Sequence, residues 1–339
     1  MQKNKYAMFI AATLIYAGFS VYLFLPYFEN FQRFQHLLAV NLFLASMGCY
    51  VLSRRWVCGF VESLLAGVLY GFGPFTLFLV QYHPTAGLLA ASIPWLFYPA
   101  AFGPKNRPMW LSTLFAVLPF LAIVLFFKIT VHFRLFAVST QARLDPAQTY
   151  SFLAPLVAAK QGTTLIGFYH VPIAALIMGF ALLVTARRYG VMAIFALGII
   201  LTFCDSINSI LEVSPIIWLT ISTLCCSVFI GVGLQGFVSA GYADRKWILA
   251  TTIVMGVLAI ATLLLATNYF QTFLGLGSGY ARLFTKEAKI YIFGAVAIAI
   301  IFFLSRTKLR MHRLREAVLF VAIAMDVFLG ARFIIDGIF

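Results

Sequence analysis

Short clusters of Lys and Arg alternate with long apolar runs along this chain, and this alternation constrains the fold more than any other feature. The apolar runs are roughly 14 to 26 residues long, and about 20 helical residues cross a hydrocarbon core. The clusters fall on alternate turns, at Lys3/Lys5, Arg54/Arg55, Lys105/Arg107, Arg187/Arg188, Arg245/Lys246 and Arg306 to Arg315. The sequence therefore predicts a bundle of helices threaded repeatedly through a bilayer.

Composition agrees with a membrane protein and argues against two other classes. Of 339 residues, 63% are hydrophobic and only 10% are charged, and the mean hydropathy is +0.99. Such values exclude a water-soluble domain. The formal net charge of +14 lies mostly in short turns, which is typical of a membrane topology signal rather than of a nucleic-acid-binding surface.

Eleven spans are predicted from the apolar runs. They are Tyr6 to Phe28, Leu37 to Leu52, Val57 to Phe72, Thr85 to Phe102, Met109 to Phe127, Thr164 to Ala186, Val191 to Cys204, Pro215 to Ala240, Trp247 to Asn268, Ile290 to Ser305 and Ala317 to Ile334. We expect one all-α integral membrane domain over 1–339, with a helical core at 1–240 and a three-helix extension at 241–339.

The distribution of charge predicts the orientation of these spans. The basic clusters place fifteen of the twenty-four Lys and Arg residues on one side, accompanied only by Asp244 and Glu316. By the positive-inside rule that side is cytoplasmic. The N-terminus is then inside, the C-terminus is extracytoplasmic, and the protein belongs in the inner (cytoplasmic) membrane. Segments 28–36, 73–84, 128–163, 205–214 and 269–289 face outward.

Two segments depart from plain membrane helices. Pro74, preceded by Gly71 and Gly73, removes a backbone donor and predicts a helix break. The break either lines a cavity or ends a helix before a short interfacial one at 76–81. Segment 128–163 is amphipathic, and it is either a surface helix that roofs an outward cavity or a spacer without a ligand. Gly67 and Gly71 form a small-xxx-small pair that lets another helix approach closely.

The middle of the chain carries a set of short hydrophobic motifs. They are Leu37-Leu38-x-x-Asn41-Leu42, Tyr50-Val51-Leu52-x-Arg54, the run from Leu65 to Phe75, His83, Pro94-Trp95-Leu96, Tyr150 to Leu153, Ile166 to Tyr169, and Pro215. This pattern, over roughly residues 37–236, resembles the membrane glycosyltransferases of the GT-C superfamily, particularly the YfhO-like branch. The resemblance implies transfer of a sugar from a polyprenyl-phosphate lipid on the extracytoplasmic face, with an acidic residue in the first outward loop.

The first outward loop departs from the family pattern. It is reduced to Glu29 to His36, and Glu29 is the only acid in it. Glu29 is either a catalytic base or, four residues before Arg33, one half of an exposed ion pair. The shortened loop suggests a scaffold that has lost catalysis.

Outward polar residues supply the candidate site. Three of them, Asp205, Asn208 and Glu212, are spaced three and four residues apart, so they share one face if the seventh span continues outward as a helix. Such a stripe could hold a sugar or a divalent cation. The alternative is that these side chains are simply solvated at a helix end. We take Glu29 and Asp205 as candidate catalytic acids. The candidate lipid-binding or substrate-binding residues are His83, Asp145, Lys160, His170, Asn208 and Glu212.

Two further acids lie inside predicted spans. Asp326 is near the middle of the eleventh span, where an ionised carboxylate must be paired or face water, so we expect it to face the protein interior. Glu62 lies near the start of the third span and can pair with Arg54 or Arg55 or reach the cytoplasmic surface. Each is either a structural hydrogen-bonding group or part of a proton or cation path.

Three functions are compatible with these residues. The first is a non-catalytic GT-C-like subunit or lipid-binding component of a membrane assembly, with other membrane subunits and membrane lipids as partners. The second is an active glycosyltransferase that uses a polyprenyl-phosphate-linked sugar. The third is a transporter or flippase with Asp326 and Glu62 as coupling acids. The sequence indicates no particular cofactor, apart from a divalent cation that the Asp205, Asn208 and Glu212 stripe could hold.

Overall fold

The structure is a computed structural model that describes residues 2–30, 36–82, 84–104, 108–132, 151–161, 167–241, 244–273, 275, 278–305 and 311–338. Within these ranges every regular element is helical and none is a strand. The α-helices are α1 Gln2–Phe24, α2 His36–Ser53, α3 Phe60–Gly71, α4 Pro74–Tyr82, α5 Pro84–Phe102, α6 Met109–His132, α7 Pro155–Gln161, α8 His170–Thr185, α9 Tyr189–Phe203, α10 Asp205–Leu211, α11 Leu219–Ser239, α12 Arg245–Leu265, α13 Asn268–Phe273, α14 Ser278–Leu304 and α15 His312–Ile338. The prediction of an all-helical protein rich in membrane-length helices is confirmed.

Eight described helical segments are long and apolar enough to cross a membrane, and the bent pair α9 and α10 makes a ninth if it counts as one span. Two shorter apolar helices, Ala86–Phe102 and His170–Thr185, coincide with the fourth and sixth predicted spans. Each predicted apolar run contains a described helix, although the third and sixth runs also contain non-helical residues at 57–59 and 167–169. The largest boundary difference is at the tenth span, because α14 begins at Ser278 rather than at Ile290.

The predicted break at Gly71 to Pro74 is present. Helix α3 ends at Gly71 and α4 starts at Pro74, and the Leu77 amide donates to the Gly73 carbonyl across the restart. Phe75 and Leu77 are almost fully buried, so α4 lies in the interior and is not the surface-lying interfacial helix that was one of the two alternatives. Together α3 and α4 form one candidate span, Phe60–Leu79.

The described chain separates into two compact units. Unit 1 contains Met1–Pro146 and Arg188–Val228, and unit 2 contains Ala147–Arg187 and Phe229–Phe339. The chain passes from the first to the second within α11. Residues 147–187 and 229–240, which the sequence placed in the helical core, thus belong to the same unit as residues 241–339.

Unit 1 is built around close backbone approaches between α2 and α3. A Cβ on Gly67 would stand 2.6 Å from the Ser46 carbonyl oxygen, and one on Gly71 would stand 2.6 Å from the Leu42 carbonyl oxygen. The small-xxx-small prediction is therefore confirmed, and α2 is the helix that approaches. The Tyr16 hydroxyl adds a 2.8 Å hydrogen bond to the Leu64 carbonyl, which ties α1 to the same pair.

Unit 2 contains a still closer pair, formed by α8 and the second half of α11. A Cβ on Gly179 would overlap the Phe229 carbonyl oxygen, and one on Gly233 would overlap the Ala175 carbonyl oxygen. The two backbones are in direct contact at this crossing, as is common where small residues meet in membrane helix pairs. Dispersion and Cα–H contacts between the backbones then replace side-chain interdigitation.

Basic side chains of unit 2 cap helix C-termini. The Arg315 guanidinium donates to the carbonyls of Ala240 at 2.8 Å and Leu304 at 3.1 Å, just after α11 and at the end of α14. Arg245 donates to the Ser305 carbonyl at 3.1 Å. These carbonyls lack helical partners, and a cation at a helix C-terminus is favourable. Part of the basic run ending at Arg315 thus has a structural role as well as a topological one.

Candidate functional site: a buried carboxylate, imidazole and carboxylate cluster

Three ionisable side chains from three helices of unit 2 meet in the interior. They are His170 at the start of α8, Glu287 in α14 and Asp326 in α15, and their residues are 0%, 0% and 2% exposed. The His170 Nδ1 atom lies 2.8 Å from Asp326 Oδ1, and its Nε2 atom lies 2.9 Å from Glu287 Oε2. The imidazole therefore bridges two carboxylates, and we call these three residues the buried cluster.

Glu287 also caps the N-terminus of α7. The amides of Leu156 and Val157 donate to Glu287 Oε1 at 2.7 and 3.0 Å. Because α7 begins at Pro155, these are among the first amides of the helix and have no intrahelical acceptor. A carboxylate from a different helix thus does what a Ser or Asp at the N-cap position would otherwise do.

Asp326 caps α8 in the same way. The Val171 amide donates to Asp326 Oδ2 at 2.7 Å, whereas the side chain of the local N-cap residue, Tyr169, makes no capping hydrogen bond. Pro172 follows, so the next position has no amide hydrogen to satisfy. Two helix N-termini, each with partial positive charge, are held by two carboxylates.

The number of hydrogens shared between the ring and the carboxyl groups sets the net charge of the buried cluster. Each of the two contacts between a ring nitrogen and a carboxylate oxygen needs one shared hydrogen. An imidazolium between two carboxylates satisfies this, and so does a neutral imidazole between one carboxylate and one carboxylic acid. Both arrangements have a net charge of −1, which the amide dipoles of α7 and α8 stabilise.

Packing around the buried cluster holds its members in position. Tyr291, one turn after Glu287, places its ring edge-on to the imidazole at 4.7 Å between centroids, and its hydroxyl donates to the Leu153 carbonyl at 2.8 Å. Gly330, one turn after Asp326, leaves the space that the Tyr169 ring occupies. Phe284, one turn before Glu287, packs with Ala154 and Val157. Leu153 and Ala154, directly before α7, are thus fixed to α14 by a polar and an apolar contact, respectively.

The chain enters α8 through a backbone conformation that requires glycine. Gly167 has a φ of +153°, and a Cβ there would lie 3.2 Å from the Ser151 carbonyl oxygen. This conformation is open to glycine and rare for other residues. It turns the chain so that Tyr169 and His170 enter the interior.

The buried cluster can carry charge and hold protons, but it is closed to a large substrate. Every carboxyl oxygen of the buried cluster already takes part in at least one hydrogen bond within the protein. A general base needs to reach the proton that it removes, directly or through one water. The buried cluster therefore suits a structural cross-link or a proton-holding group better than a transferase base.

Asp326 faces the protein interior, as expected, and its partner is His170, which the sequence did not indicate. Glu287 was not among the predicted site residues. Lys286 and Lys289 flank Glu287, and the predicted span begins only at Ile290. The sequence therefore places Glu287 in the outward segment 269–289. One signal was available, because the apolar positions Phe284, Ala288 and Tyr291 continue the buried stripe of α14 back past Glu287.

The predicted stripe of Asp205, Asn208 and Glu212 does not form. The chain bends by 81° between α9 and α10, so the seventh span does not continue outward as a straight helix. Asn208 is buried, where its amide donates to the Leu201 carbonyl and its oxygen accepts from Trp218 Nε1 at 2.7 Å. Glu212 is in the left-handed conformation after α10, and it pairs with Lys128 at 2.7 Å.

The other predicted residues are dispersed. Glu29 and Asp205 are exposed at helix ends. Glu62 is buried, and its carboxylate lies against Gly59. The Gly59 carbonyl accepts a hydrogen bond from Arg54. Lys160 is exposed at the end of α7, 4.8 Å from the centroid of the Tyr280 ring. His83, Asp145 and Arg33, the predicted ion-pair partner of Glu29, lie outside the described residues.

The described ranges contain no group of three His, Cys, Asp or Glu side chains arranged to hold a metal ion. Cys49, Cys225 and Cys226 are buried among apolar residues, in keeping with packing roles. No family model, curated protein or solved structure matches this chain.

Proposed function

We propose that the protein is a multi-pass inner-membrane protein that crosses the bilayer eleven times, with its N-terminus cytoplasmic and its C-terminus extracytoplasmic. We further propose that it keeps a GT-C-like scaffold and acts as a non-catalytic subunit or lipid-binding component of a membrane assembly. The support for this number of crossings is that eight candidate spans, one bent pair and two shorter apolar helices are present in the described residues.

One observation carries the non-catalytic proposal. The place where ionisable side chains converge in unit 2 is sealed from solvent, and its carboxylates are occupied by capping α7 and α8. Among the described residues, the polar neighbour of the exposed acid Asp205 is Asn208, and it is already occupied by Trp218. A scaffold that uses its acids to hold helices together fits a subunit better than an enzyme.

We expect the tagged full-length chain, purified in a mild detergent, to elute as a complex heavier than the 37.7 kDa chain and to contain another membrane protein at constant stoichiometry. The matched variant is Glu29→Gln combined with Asp205→Asn. It should keep that complex and leave the lipid-linked and surface glycans of the cells unchanged, because neither acid performs chemistry. Light scattering and glycan mass spectrometry make the two measurements.

Two results would count against this proposal. A solitary protomer would remove the subunit role. A folded double variant that loses a glycan modification would instead support the second function, an active transferase that uses a polyprenyl-phosphate-linked sugar with Glu29 or Asp205 as base.

A transporter is the other candidate, and the buried cluster is the observation that favours it. Glu287 and Asp326 lie within candidate spans, where buried acids often mark proton or ion paths. In proteoliposomes with a pH gradient, this function predicts a proton-coupled flux that Asp326→Asn abolishes and that the exposed-site variant Asp336→Asn preserves. A flux that survives Asp326→Asn in folded protein would rule out Asp326 as the coupling acid and leave Glu287 and Glu62 as candidates.

A further inference from the structure

The exposed face of α14 changes from basic to apolar along its length. Arg282, Lys286 and Lys289 are all exposed, and they lie at positions i, i+4 and i+7, which at about 100° per residue fall on one narrow stripe. The same stripe continues with Phe293, Val296 and Ile300, which are 40%, 52% and 42% exposed. Cations are thus aligned with an apolar surface of the kind that faces lipid chains.

Lys160 of α7 adds a fourth cation near the first turn of α14. Its Nζ atom lies 4.8 Å from the Tyr280 ring centroid and 3.0 Å from the position of a Cβ on Gly279, one turn before Arg282. From Gly279 to Lys289 the helix rises about 15 Å. We call Lys160, Arg282, Lys286 and Lys289 the basic stripe.

Neighbouring acids do not neutralise the basic stripe. Glu287 is adjacent in sequence, but it points to the opposite side of α14 and is fully buried. In the part of the chain that the structure describes, no carboxylate forms an ion pair with Arg282, Lys286 or Lys289. Like charges at i, i+3 and i, i+4 repel each other, so a bound anion would stabilise this arrangement.

Ordinary topology determination does not require these cations. In the orientation proposed above, the basic stripe is on the extracytoplasmic side, which the positive-inside rule does not enrich in Lys and Arg. The cations instead match a headgroup placed directly above lipid chains that would cover the exposed Phe293 and Val296. Lys and Arg near a membrane surface attract anionic headgroups in this way.

We infer that the basic stripe binds the phosphate headgroup of an anionic membrane lipid, whose chains lie along the apolar continuation of α14. This inference deepens the lipid-binding part of the proposed function and rests on the orientation given there. The anionic phosphate meets up to four cations, and the hydrocarbon chains meet the exposed aromatic and aliphatic side chains below.

The test uses full-length protein equilibrated with phosphatidylglycerol or phosphatidylcholine in an uncharged detergent, with bound lipid measured by native mass spectrometry. We expect wild type to prefer phosphatidylglycerol. The triple variant Arg282→Gln, Lys286→Gln and Lys289→Gln should weaken phosphatidylglycerol binding about a hundredfold at low salt, since each cation contributes roughly a fivefold factor. The loss should shrink as salt screens the charges.

The matched control removes three exposed cations from other turns: Arg188→Gln, Lys246→Gln and Arg313→Gln. This control should bind phosphatidylglycerol as wild type does. Equal losses in both triple variants, or no lipid preference in wild type, would overturn the inference. Displacement by inorganic phosphate alone would also overturn it, because the site would then bind a free anion.

Displacement of phosphatidylglycerol by a polyprenyl phosphate would support a phosphate-headed lipid and extend the site to prenyl chains. The result of this lipid-binding experiment is independent of the result of the test of the proposed function. A solitary protomer that still prefers phosphatidylglycerol would end the subunit proposal and leave the lipid site standing.

Discussion

Glu287→Ala is expected to lower the free energy of unfolding in detergent by about 3–5 kcal/mol, the usual range for breaking a buried charge pair from one side. The substitution removes the acceptor for the Leu156 and Val157 amides and for one His170 ring nitrogen. The two amides are then buried without a partner at the start of α7. Denaturant titration in mixed micelles, followed by tryptophan fluorescence, measures the loss.

Asp336→Ala is the matched control in the same unit. Asp336 is half-exposed and pairs with Arg332 four residues earlier in α15, so its removal should cost less than about 1 kcal/mol. Glu287→Gln should fall between the two, since the amide oxygen can still accept from α7. If Glu287→Ala costs no more than Asp336→Ala, the buried cluster is not the cross-link described above.

A second test of the cluster uses a double-mutant cycle, which separates a shared network from independent contacts. If His170 and Glu287 act as one unit, His170→Ala combined with Glu287→Ala should cost less than the two single changes added together. Additive losses would mean that the imidazole contributes independently of the Glu287 carboxylate.

Gly179→Ala is expected to destabilise unit 2 by about 1–3 kcal/mol, the range for inserting a methyl group into a filled interior. The added Cβ would overlap the Phe229 carbonyl oxygen and lie 3.1 Å from the Gly233 backbone nitrogen. Backbone atoms cannot rotate away as a flexible side chain can, so α8 and α11 would have to separate. Gly179→Leu should reduce the yield of folded protein further.

Gly256→Ala in α12 is the control of opposite sign, because nothing lies within 4 Å of a Cβ at that position. Alanine has the higher helix propensity, so this change should be neutral or stabilising by up to about 1 kcal/mol. The same unfolding titration compares both variants. A Gly179→Ala protein as stable as Gly256→Ala would contradict the close contact between α8 and α11.

Features that depend on local sequence were predictable. An apolar run must satisfy its backbone hydrogen bonds internally in lipid, so its length and flanking charges indicate a helix without knowledge of its neighbours. Proline and glycine act through their own backbone, which is why the break before Pro74 and the close approach at Gly67 and Gly71 were both anticipated. Helix ends near charges were less predictable, as the early start of α14 shows.

The identity of each helix's neighbours lay beyond local reasoning. His170 is 117 residues from Glu287 and 156 residues from Asp326, and no periodicity within one helix relates residues so distant. Asp205, Asn208 and Glu212 show the converse. Their spacing suggested one polar stripe, but Asn208 is buried against Trp218 and Glu212 lies past the end of α10 in the left-handed conformation.

The free energy of transferring an apolar segment from water to lipid depends on the residues of that segment alone. The amino-acid sequence was therefore sufficient to define the helical class and the location of the apolar helices. The partner of a buried charge is decided by which helices pack together, because a carboxylate in the interior is stabilised only by donors brought to it from elsewhere in the chain. Only the tertiary structure therefore revealed that Glu287 and Asp326 cap α7 and α8 and share one histidine.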